Sequence, residues 1–194
     1  MAGRSSAFEL TLQHLRDTVR ETSRSLGKDV RLHVEGAAHE WNDEDLSRLR
    51  EALAHAVRNA IDHGIESPKV RSKSGKNPVG RIDLRFASEE NATVVTVEDD
   101  GAGVDLDAVS RKAARLGLVV STEALAARES LALLFEPGFS TKKTVTEISG
   151  RGIGLDLVQS VAISFGGAVE IDTAHGKGTK LVLRLPRKKP AKAA

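Results

Sequence analysis

The chain has 194 residues, of which 40% are hydrophobic and 29% are charged, a mixture typical of a globular protein with one hydrophobic core. A net charge of +2 gives no indication of nucleic-acid binding, and the lack of cysteine excludes disulfides, thiolate metal sites and cysteine nucleophiles. Neither a membrane-spanning apolar run nor a signal peptide is present. We therefore expect a cytoplasmic protein with no direct membrane insertion.

The first half of the chain predicts a helix, a strand and a second helix. Residues 5–26 carry apolar side chains at helical spacing, and residues 30–34 alternate like a half-buried strand. Asn42 or Asp43 can cap the second helix, and Gly64 can end it.

The second helix carries two different stripes of side chains. An apolar stripe predicts its core face: Leu46, Leu49, Leu53, Val57 and Ile61. A polar stripe beside it holds one residue of each chemical type, at i, i+3, i+4 and i+7: His55, Arg58, Asn59 and Asp62. This assortment is unlike an ordinary solvated face, and we interpret it as part of a functional site.

Residues 65–80 predict a loop rich in Ser, Lys, Gly and Pro. Basic residues concentrate at 69–81 and in the tail at 187–194. Such runs usually lie in solvent, and we interpret both as solvated segments rather than as a nucleic-acid-binding patch.

Two strands follow, at 82–86 and 92–97. The second is nearly all apolar, so we expect it at the centre of a sheet. After a glycine turn, two short helices are predicted at about 105–116 and 122–134.

The last part of the chain predicts a helix and a hairpin. The helix runs from about Ile153 to Phe165, and the hairpin strands lie at 168–173 and 179–185. Strands and helices thus mix without strict βαβ alternation. The expected class is α+β, a two-layer α/β sandwich with helices on one face of a mixed, largely antiparallel sheet.

One glycine-rich motif directly precedes the last helix, with Gly150, Gly152 and Gly154. Backbone N–H groups at a helix start form an anion site, although glycines before a helix are often just a turn. The motif is neither a P-loop nor a Rossmann fingerprint, since Leu157 stands where the third glycine of the latter would be.

Asp99 ends the apolar strand and opens the pattern D-x-G-x-G with Gly101 and Gly103. A carboxylate buried there is costly unless it accepts hydrogen bonds. The amino group of adenine would satisfy it, whereas the carbonyl oxygen of guanine would repel it. Taken alone, Asp99 is slightly more typical of a turn aspartate that caps the next helix than of a ligand-binding residue. Asp100 and Asp105 are better candidates for that capping role.

The amide oxygen of Asn59 is a hard, neutral ligand suited to Mg²⁺, which is often shared with substrate phosphates. Arg58, Asp62 and His63 lie close enough along the helix to order the metal's waters or a nucleotide. His55 is placed to orient or polarise groups at a transferred phosphate. For any one of these residues alone, the alternative is a packing role.

Five segments in one order resemble a known family: HAVRNAIDHGIE, DDGAGVD, FEPGFST, GRGIGLDLV and GKGT. They are similar to the asparagine box, first glycine box, phenylalanine box, second glycine box and terminal Gly-Thr of the histidine-kinase ATPase domain. Its superfamily includes gyrase, MutL and the heat-shock chaperone ATPases. The spellings RNAIDHGIE and EPGFST resemble CheA-type chemotaxis histidine kinases, and the similarity runs from about Leu15 to Pro186.

The resemblance implies the Bergerat-type ATP-binding fold, with ATP and Mg²⁺ held between the asparagine-box helix and a mobile lid at about 104–149. Asp99 would bind adenine, supported through water by Thr179. Asn59 would bind Mg²⁺, and His55 and Asn59 would be catalytic. The other implied nucleotide-binding residues are Arg58, Asp62, His63, Gly101, Gly103, Val104, Ser140, Thr141, Lys142, Gly150, Arg151, Gly152, Ile153, Gly154 and Leu155.

The resemblance also implies transfer of the ATP γ-phosphoryl to a histidine on a separate phosphotransfer domain, in two-component or chemotaxis-type signalling. The expected further partners are a downstream response regulator and a CheW-like adaptor with its receptor complex. The adaptor and the receptor complex would bind through domains outside these residues. Nucleic acid is not expected.

The expected domains are a helical linker at 1–27 that ends a dimerisation region, the ATP-binding domain at 28–186, and a basic disordered tail at 187–194.

Two other functions stay open. One is a nucleotide-binding regulatory module without productive transfer. The other, less favoured, is a gyrase- or MutL-like ATPase, whose water-activating glutamate would be replaced here by His55.

Overall fold

The computed structural model describes residues 6–36, 41–119, 127–137, 139 and 154–187. The described helices are α1 (Ser6–Leu26), α2 (Asp43–Asn59), α3 (Pro68–Lys73), α4 (Leu106–Arg115), α5 (Ala127–Ala132) and α6 (Leu155–Ser164). The described strands are β1 (Val30–Glu35), β2 (Gly80–Ser88), β3 (Ala92–Asp99), β4 (Ala168–Ala174) and β5 (Gly178–Pro186). This mixture confirms the predicted α+β class.

The five strands form one sheet in the order β1-β2-β3-β5-β4. β1 runs parallel to β2, and the other three neighbouring pairs are antiparallel. The prediction of a mixed, largely antiparallel sheet is therefore confirmed. β3 lies at its centre, as its nearly unbroken apolar run predicted.

The main core lies between one face of this sheet and the helices α1, α2 and α6. The apolar stripe of α2 is fully covered there, with Leu49, Leu53 and Ile61 all at 0% exposure. α1 adds Phe8, whose ring meets that of Phe86 edge to face with centroids 5.1 Å apart. The helix α1 thus belongs to the same core as the rest of the domain, and its connection to a dimerisation region stays a prediction.

The asparagine-box helix begins with a defined cap and continues at its end into a different helical turn. At its start the Asn42 side chain accepts a hydrogen bond from the Asp45 backbone N–H over 2.8 Å, an N-cap as predicted. After Asn59 the helix widens into a single π-helical turn, Ala60–Gly64. Such turns occur often at functional sites.

The ammonium group of Lys28 closes this π-helical turn. Its Nζ donates to the carbonyl oxygens of Ile61 over 2.6 Å and of Asp62 over 2.9 Å. Cationic groups stabilise the carbonyl end of a helix, where backbone acceptors lack partners. The segment between α1 and β1 therefore holds the end of the asparagine-box helix in place.

The interpretation of residues 69–81 as a solvated loop was wrong in two respects. Residues Pro68–Lys73 form the short helix α3, which proline begins at its first turn. Arg71, in the middle of the basic run, is completely buried. The physical reason is that the carboxylates of Glu66 and Asp100 surround its guanidinium group.

The region of the predicted lid carries its own hydrophobic cluster. Val109 and Ala113 of α4 pack with Phe139, apart from the main core. The helix predicted at 122–134 is described from Ala127 and changes into one 3₁₀ turn at Leu133–Phe135. Within the described part of the chain, no helix combines the length and apolarity needed to cross a membrane.

Candidate functional site

Asp99 is held where the end of β3 meets the beginning of β5, and only 6% of its surface is exposed. Its carboxylate accepts the backbone N–H of Gly101 over 2.9 Å and a backbone hydrogen bond from Thr179. Burial raises the pKa of Asp99 to about 6 against the effect of these hydrogen bonds, and the nearby carboxylates of Asp100 and Glu66 raise it further.

Three glycines make the close surroundings of Asp99 possible. A Cβ on Gly64 would lie 2.8 Å from Oδ1 of Asp99, and one on Gly101 would lie 2.2 Å from the carbonyl oxygen of Gly64. Gly178 has a φ of +104°, and a Cβ there would lie 1.8 Å from the carbonyl oxygen of Asp99. Only glycine fits at these places, so the asparagine-box helix, the D-x-G-x-G turn and β5 approach one another backbone to backbone.

The rest of the D-x-G-x-G turn is tied to the same two neighbours. The N–H of Ala102 donates to the carbonyl oxygen of Gly64 over 2.9 Å. The N–H of Val104 donates to Oγ1 of Thr173 over 2.9 Å, and the hydroxyl of Thr179 lies 3.3 Å from that same oxygen. The turn is thus clamped between the π-helical turn and the β4–β5 hairpin.

The polar stripe of α2 runs toward this clamped turn. Asn59 is half-buried, and its side-chain amide makes no hydrogen bond to any described residue. Asp62 and His63 follow within the π-helical turn, with Oδ2 and Nε2 3.7 Å apart. Since Gly64 directly contacts Asp99, the stripe and the aspartate belong to one site.

His55 lies half-buried one turn before Asn59. Burial lowers the pKa of His55, and the positive charge of Arg58 lowers it further, while Glu51 and Asp156 act in the opposite direction. The imidazole is therefore neutral near pH 7, and it can accept a hydrogen bond or orient a water molecule.

The start of α6 lies near the same stripe, because Asp156 in its first turn acts electrostatically on His55. The Oδ1 of Asp156 accepts the backbone N–H groups of Gly154 over 2.8 Å and of Leu157 over 2.9 Å. Sequence reasoning missed this aspartate, although an acidic residue in a first helical turn is an ordinary capping signal.

The predicted site residues fall into two groups. The structure brings together His55, Arg58, Asn59, Asp62, His63, Asp99, Gly101, Gly103, Val104, Gly154, Leu155 and Thr179 around the turn and the two helix ends. The other predicted positions lie outside the described residues: Ser140, Thr141, Lys142, Gly150, Arg151, Gly152 and Ile153.

Asp100 and Asp105 were both expected as turn aspartates that cap the next helix, and only Asp105 caps it. Oδ1 of Asp105 accepts the N–H of Ala108 over 2.8 Å and caps α4. Asp100 instead accepts from the guanidinium of Arg71 over 2.7 Å and from the backbone N–H of Arg81 over 2.9 Å. Its role was missed because nothing in the basic run distinguishes Arg71 from solvated neighbours such as Lys73.

The donors at the site fit a magnesium ion shared with a substrate. The described residues contain no group of three or more His, Asp or Glu side chains arranged to hold a metal by themselves. Asn59 does offer an amide oxygen without a protein partner among them. Mg²⁺ commonly binds through one or two protein oxygens together with phosphates and water, which matches this set.

Comparisons with known proteins show the family to which the chain belongs. The family described as histidine kinase-, DNA gyrase B-, and HSP90-like ATPase matches residues 44–189. The chemotaxis protein CheA of Treponema pallidum is 42% identical over 168 residues, which cover 87% of this chain and 21% of that protein. The gliding motility regulatory protein of Myxococcus xanthus is 41% identical over 171 residues, which cover 87% of this chain and 22% of that protein. The chain thus spans about a fifth of the length of these two relatives.

A solved structure supports the fold. The histidine kinase domain of a blue-light activated histidine kinase from Erythrobacter litoralis superposes with a TM-score of 0.52 over 96% of this chain and 71% of that one. At 16% identity the likeness concerns the fold alone, and it agrees with the predicted two-layer α/β sandwich.

Proposed function

The chain belongs to the family of histidine kinase-, DNA gyrase B- and HSP90-like ATPases, and we propose that it is the ATP-binding catalytic domain of a CheA-like histidine kinase. The observation that carries the proposal is the site of Asp99. A buried carboxylate, framed by glycines and reached by the polar stripe of the asparagine-box helix, suits a ligand with an amino group at one end and phosphates at the other.

In this proposal Asp99 accepts a hydrogen bond from the exocyclic amino group of adenine. The triphosphate then extends along α2 past Asp62 and Asn59 toward His55. Asn59 would hold Mg²⁺, which neutralises phosphate charge when it is bound. Arg58 and His63 supply further donors, and neutral His55 orients groups around the γ-phosphate.

The transferred group passes to a nitrogen of an imidazole ring on a separate phosphotransfer domain. The bond between the γ-phosphorus and the oxygen bridging it to the β-phosphate breaks, a phosphorus–nitrogen bond forms, and ADP leaves. Catalysis is then mostly positioning and charge neutralisation, as in phosphoryl transfer generally.

The partners and the domain organisation are part of the same proposal. A response regulator would receive the phosphoryl group, and a CheW-like adaptor would connect the whole protein to a receptor. Residues 1–27 would lead from a dimerisation region into the domain at 28–186, and the basic tail at 187–194 would follow it. The two named relatives are about five times as long as this chain. Their additional length is sufficient for such further domains.

Labelled ATP, Mg²⁺ and a histidine phosphotransfer domain provide the test. The expected product is acid-labile, base-stable phosphate on the added domain and none on this chain. Asn59→Ala should lose both Mg²⁺-dependent ATP binding and transfer, with the fold intact because the apolar stripe of α2 is unchanged. Asn91→Ala, at an exposed turn, is the matched control and should behave like the wild type.

Other outcomes would identify a different function. Tight ATP binding without label on any phosphotransfer domain would indicate a nucleotide-binding regulatory module. Release of inorganic phosphate without phosphohistidine would indicate a gyrase- or MutL-like ATPase. Wild-type MgATP affinity in Asn59→Ala, measured by calorimetry, would contradict the metal assignment.

A further inference from the structure

We propose that Arg71 and Lys76 are positioning residues for base recognition, which hold the turn after Asp99 in the conformation that accepts adenine. This inference rests on the proposed ATP-binding function and concerns how its specificity is produced. Neither residue lies on the polar stripe of α2. Both come from the segment between the asparagine-box helix and β2, whose basic residues otherwise face solvent.

Arg71 uses its guanidinium group to join three parts of the chain. Its Nη2 donates to Oδ2 of Asp100 over 2.7 Å, and its Nη1 donates to Oε2 of Glu66 over 3.0 Å and to the backbone carbonyl oxygen of Asp100 over 3.2 Å. Its Nε donates to the carbonyl oxygen of Asn77 over 2.7 Å. The guanidinium group itself is fully buried, whereas the Asp100 side chain that it meets is 43% exposed, so every donor of Arg71 depends on these protein acceptors.

Lys76 binds the same turn from beside Arg71. Its ammonium group donates to the carbonyl oxygens of Asp100 over 3.0 Å and Gly101 over 2.7 Å, and to Oε1 of Glu66 over 2.8 Å. An ammonium group has three N–H donors, and these three acceptors account for all of them.

One peptide bond connects these cations to the base-recognition carboxylate. The carbonyl oxygen of Asp100 accepts from Arg71 and Lys76. The N–H of the same peptide unit belongs to Gly101 and donates to Oδ1 of Asp99. Because a trans peptide is planar, with its C=O and N–H pointing in opposite directions, cations that fix the oxygen also aim the N–H at Asp99. They polarise that N–H as well and make it a stronger donor.

The two cations also control the charge that surrounds Asp99. Among the described residues, the charged groups that shift the pKa of Asp99 are Glu66, after the π-helical turn, and Asp100, in its own turn, and both are carboxylates. The contact from β5 is a neutral backbone group of Thr179. Burial by itself raises the pKa of Glu66, but the hydrogen bonds from Lys76 and Arg71 outweigh it and hold that pKa below its usual value. Removing either cation leaves more uncompensated negative charge beside Asp99, which favours its protonated form.

The protonation state of Asp99 matters for binding because its partners among the described residues are hydrogen-bond donors. The N–H groups of Gly101 and Thr179 already converge on the carboxylate, and the adenine amino group would be the third. An acidic proton on Asp99 would compete with these donors, so the ionised form is the one that binds. A loss of Lys76 should therefore weaken ATP binding most at the acidic end of the pH range.

The experiment uses the full chain and measures ATP and GTP affinity by calorimetry between pH 5.5 and 8. Lys76→Met is the main variant, because the Lys76 side chain is 20% exposed whereas that of Arg71 is fully buried. We expect about tenfold weaker ATP binding at pH 7. The reason is that the variant loses the charge-assisted hydrogen bonds of Lys76, and a part of the lost free energy would have stabilised the binding conformation of the turn. GTP binding should change less, so the preference for ATP narrows.

The pH profile distinguishes positioning from general structural support. In Lys76→Met the pH at which ATP binding declines should move upward, toward neutrality. In Lys76→Gln, which keeps N–H donors without the charge, that shift should persist while the affinity at pH 8 recovers in part. Lys73→Met, an exposed lysine of the same segment, should match the wild type in every measurement.

Each result decides the inference. Wild-type affinity, base preference and pH profile in Lys76→Met would overturn it, as would an equal loss of affinity at every pH with the ATP preference unchanged. Failure of the wild-type chain to bind ATP would instead overturn the proposed function.

Arg71→Lys is the second variant. It should bind ATP more weakly even though the positive charge remains, because an ammonium group cannot reproduce the guanidinium fork that joins Glu66, Asp100 and Asn77.

Discussion

Asp99 is the residue at which function and stability oppose each other most clearly. Its pKa is raised to about 6 in the folded protein, chiefly by burial, from the ordinary value of 3.8. Between these two pH values the folded chain keeps a proton that the unfolded chain has lost. The contribution of Asp99 to stability is therefore complete below pH 3.8 and is lost as the pH rises through about 6.

We predict that Asp99→Asn stabilises the nucleotide-free protein while it abolishes the preference for adenine. The amide carries no charge to bury, so the gain in unfolding free energy should reach up to about 3 kcal/mol at pH 7.5 and shrink below about 1 kcal/mol at pH 4. Urea denaturation at the two pH values measures this difference. The same gain at both would show that ionisation of Asp99 has no part in it.

At the scale of elements, the π-helical turn after α2 carries the connection between the polar stripe and Asp99. It holds Asp62, His63 and Gly64, and the carbonyl groups of Ile61 and Asp62 within it are bound by Lys28, two residues after the end of α1. An ordinary α-helical continuation would bring different atoms against Asp99. The conformation of this one turn therefore determines where Asp62, His63 and Gly64 lie relative to Asp99.

We predict that Lys28→Met loosens this turn. Loss of two charge-assisted hydrogen bonds should lower the unfolding free energy by about 1.5–3 kcal/mol and weaken ATP binding as well. Denaturation and amide hydrogen exchange at residues 60–64 measure the two effects. Lys69→Met, an exposed lysine on α3, is the control. Unchanged exchange at 60–64 would mean that the turn is held by other contacts.

The sequence predicted elements well wherever periodicity determines them. The two stripes of α2, the central position of β3 and the closing hairpin all follow from the spacing of apolar and polar side chains, and the order of the motifs indicated the ATP-binding sandwich. Arg71 and Asp100 could not be placed in this way. Their pairing joins distant parts of the chain, and neither local propensity nor charge patterning encodes such a contact.

At the scale of the whole molecule, α1 is part of the main core rather than a separate arm. Leu12 and Leu15 are fully buried in the same cluster as the apolar stripe of α2, whereas Leu10 on the opposite side of the helix is 64% exposed. Stability of the ATP-binding domain therefore depends on a helix that precedes the asparagine box. Any shorter version of the domain that starts at residue 28 would expose this core.

We predict a sharp contrast between two leucines of α1. Leu12→Ala should destabilise the chain by about 2–5 kcal/mol, because it removes buried methyl groups and leaves a cavity. Leu10→Ala, on the exposed face, should stay within about 0.5 kcal/mol of the wild type. Thermal and urea denaturation of both variants measure this. Equal stability of the two would mean that α1 does not pack on α2 in solution.

The distance along the chain between paired strands has a consequence for how the described sheet assembles. β2 and β3 form a hairpin between neighbours in the chain, and so do β4 and β5, so each pair closes a short loop and forms rapidly. The pairing of β1 with β2 instead spans α2 and α3, and that of β3 with β5 spans α4, α5, α6 and β4. These two closures carry the greater entropic cost. Asp99 and its partner Thr179 stand on opposite sides of the second closure, so the buried surroundings of Asp99 form only when the two hairpins have joined.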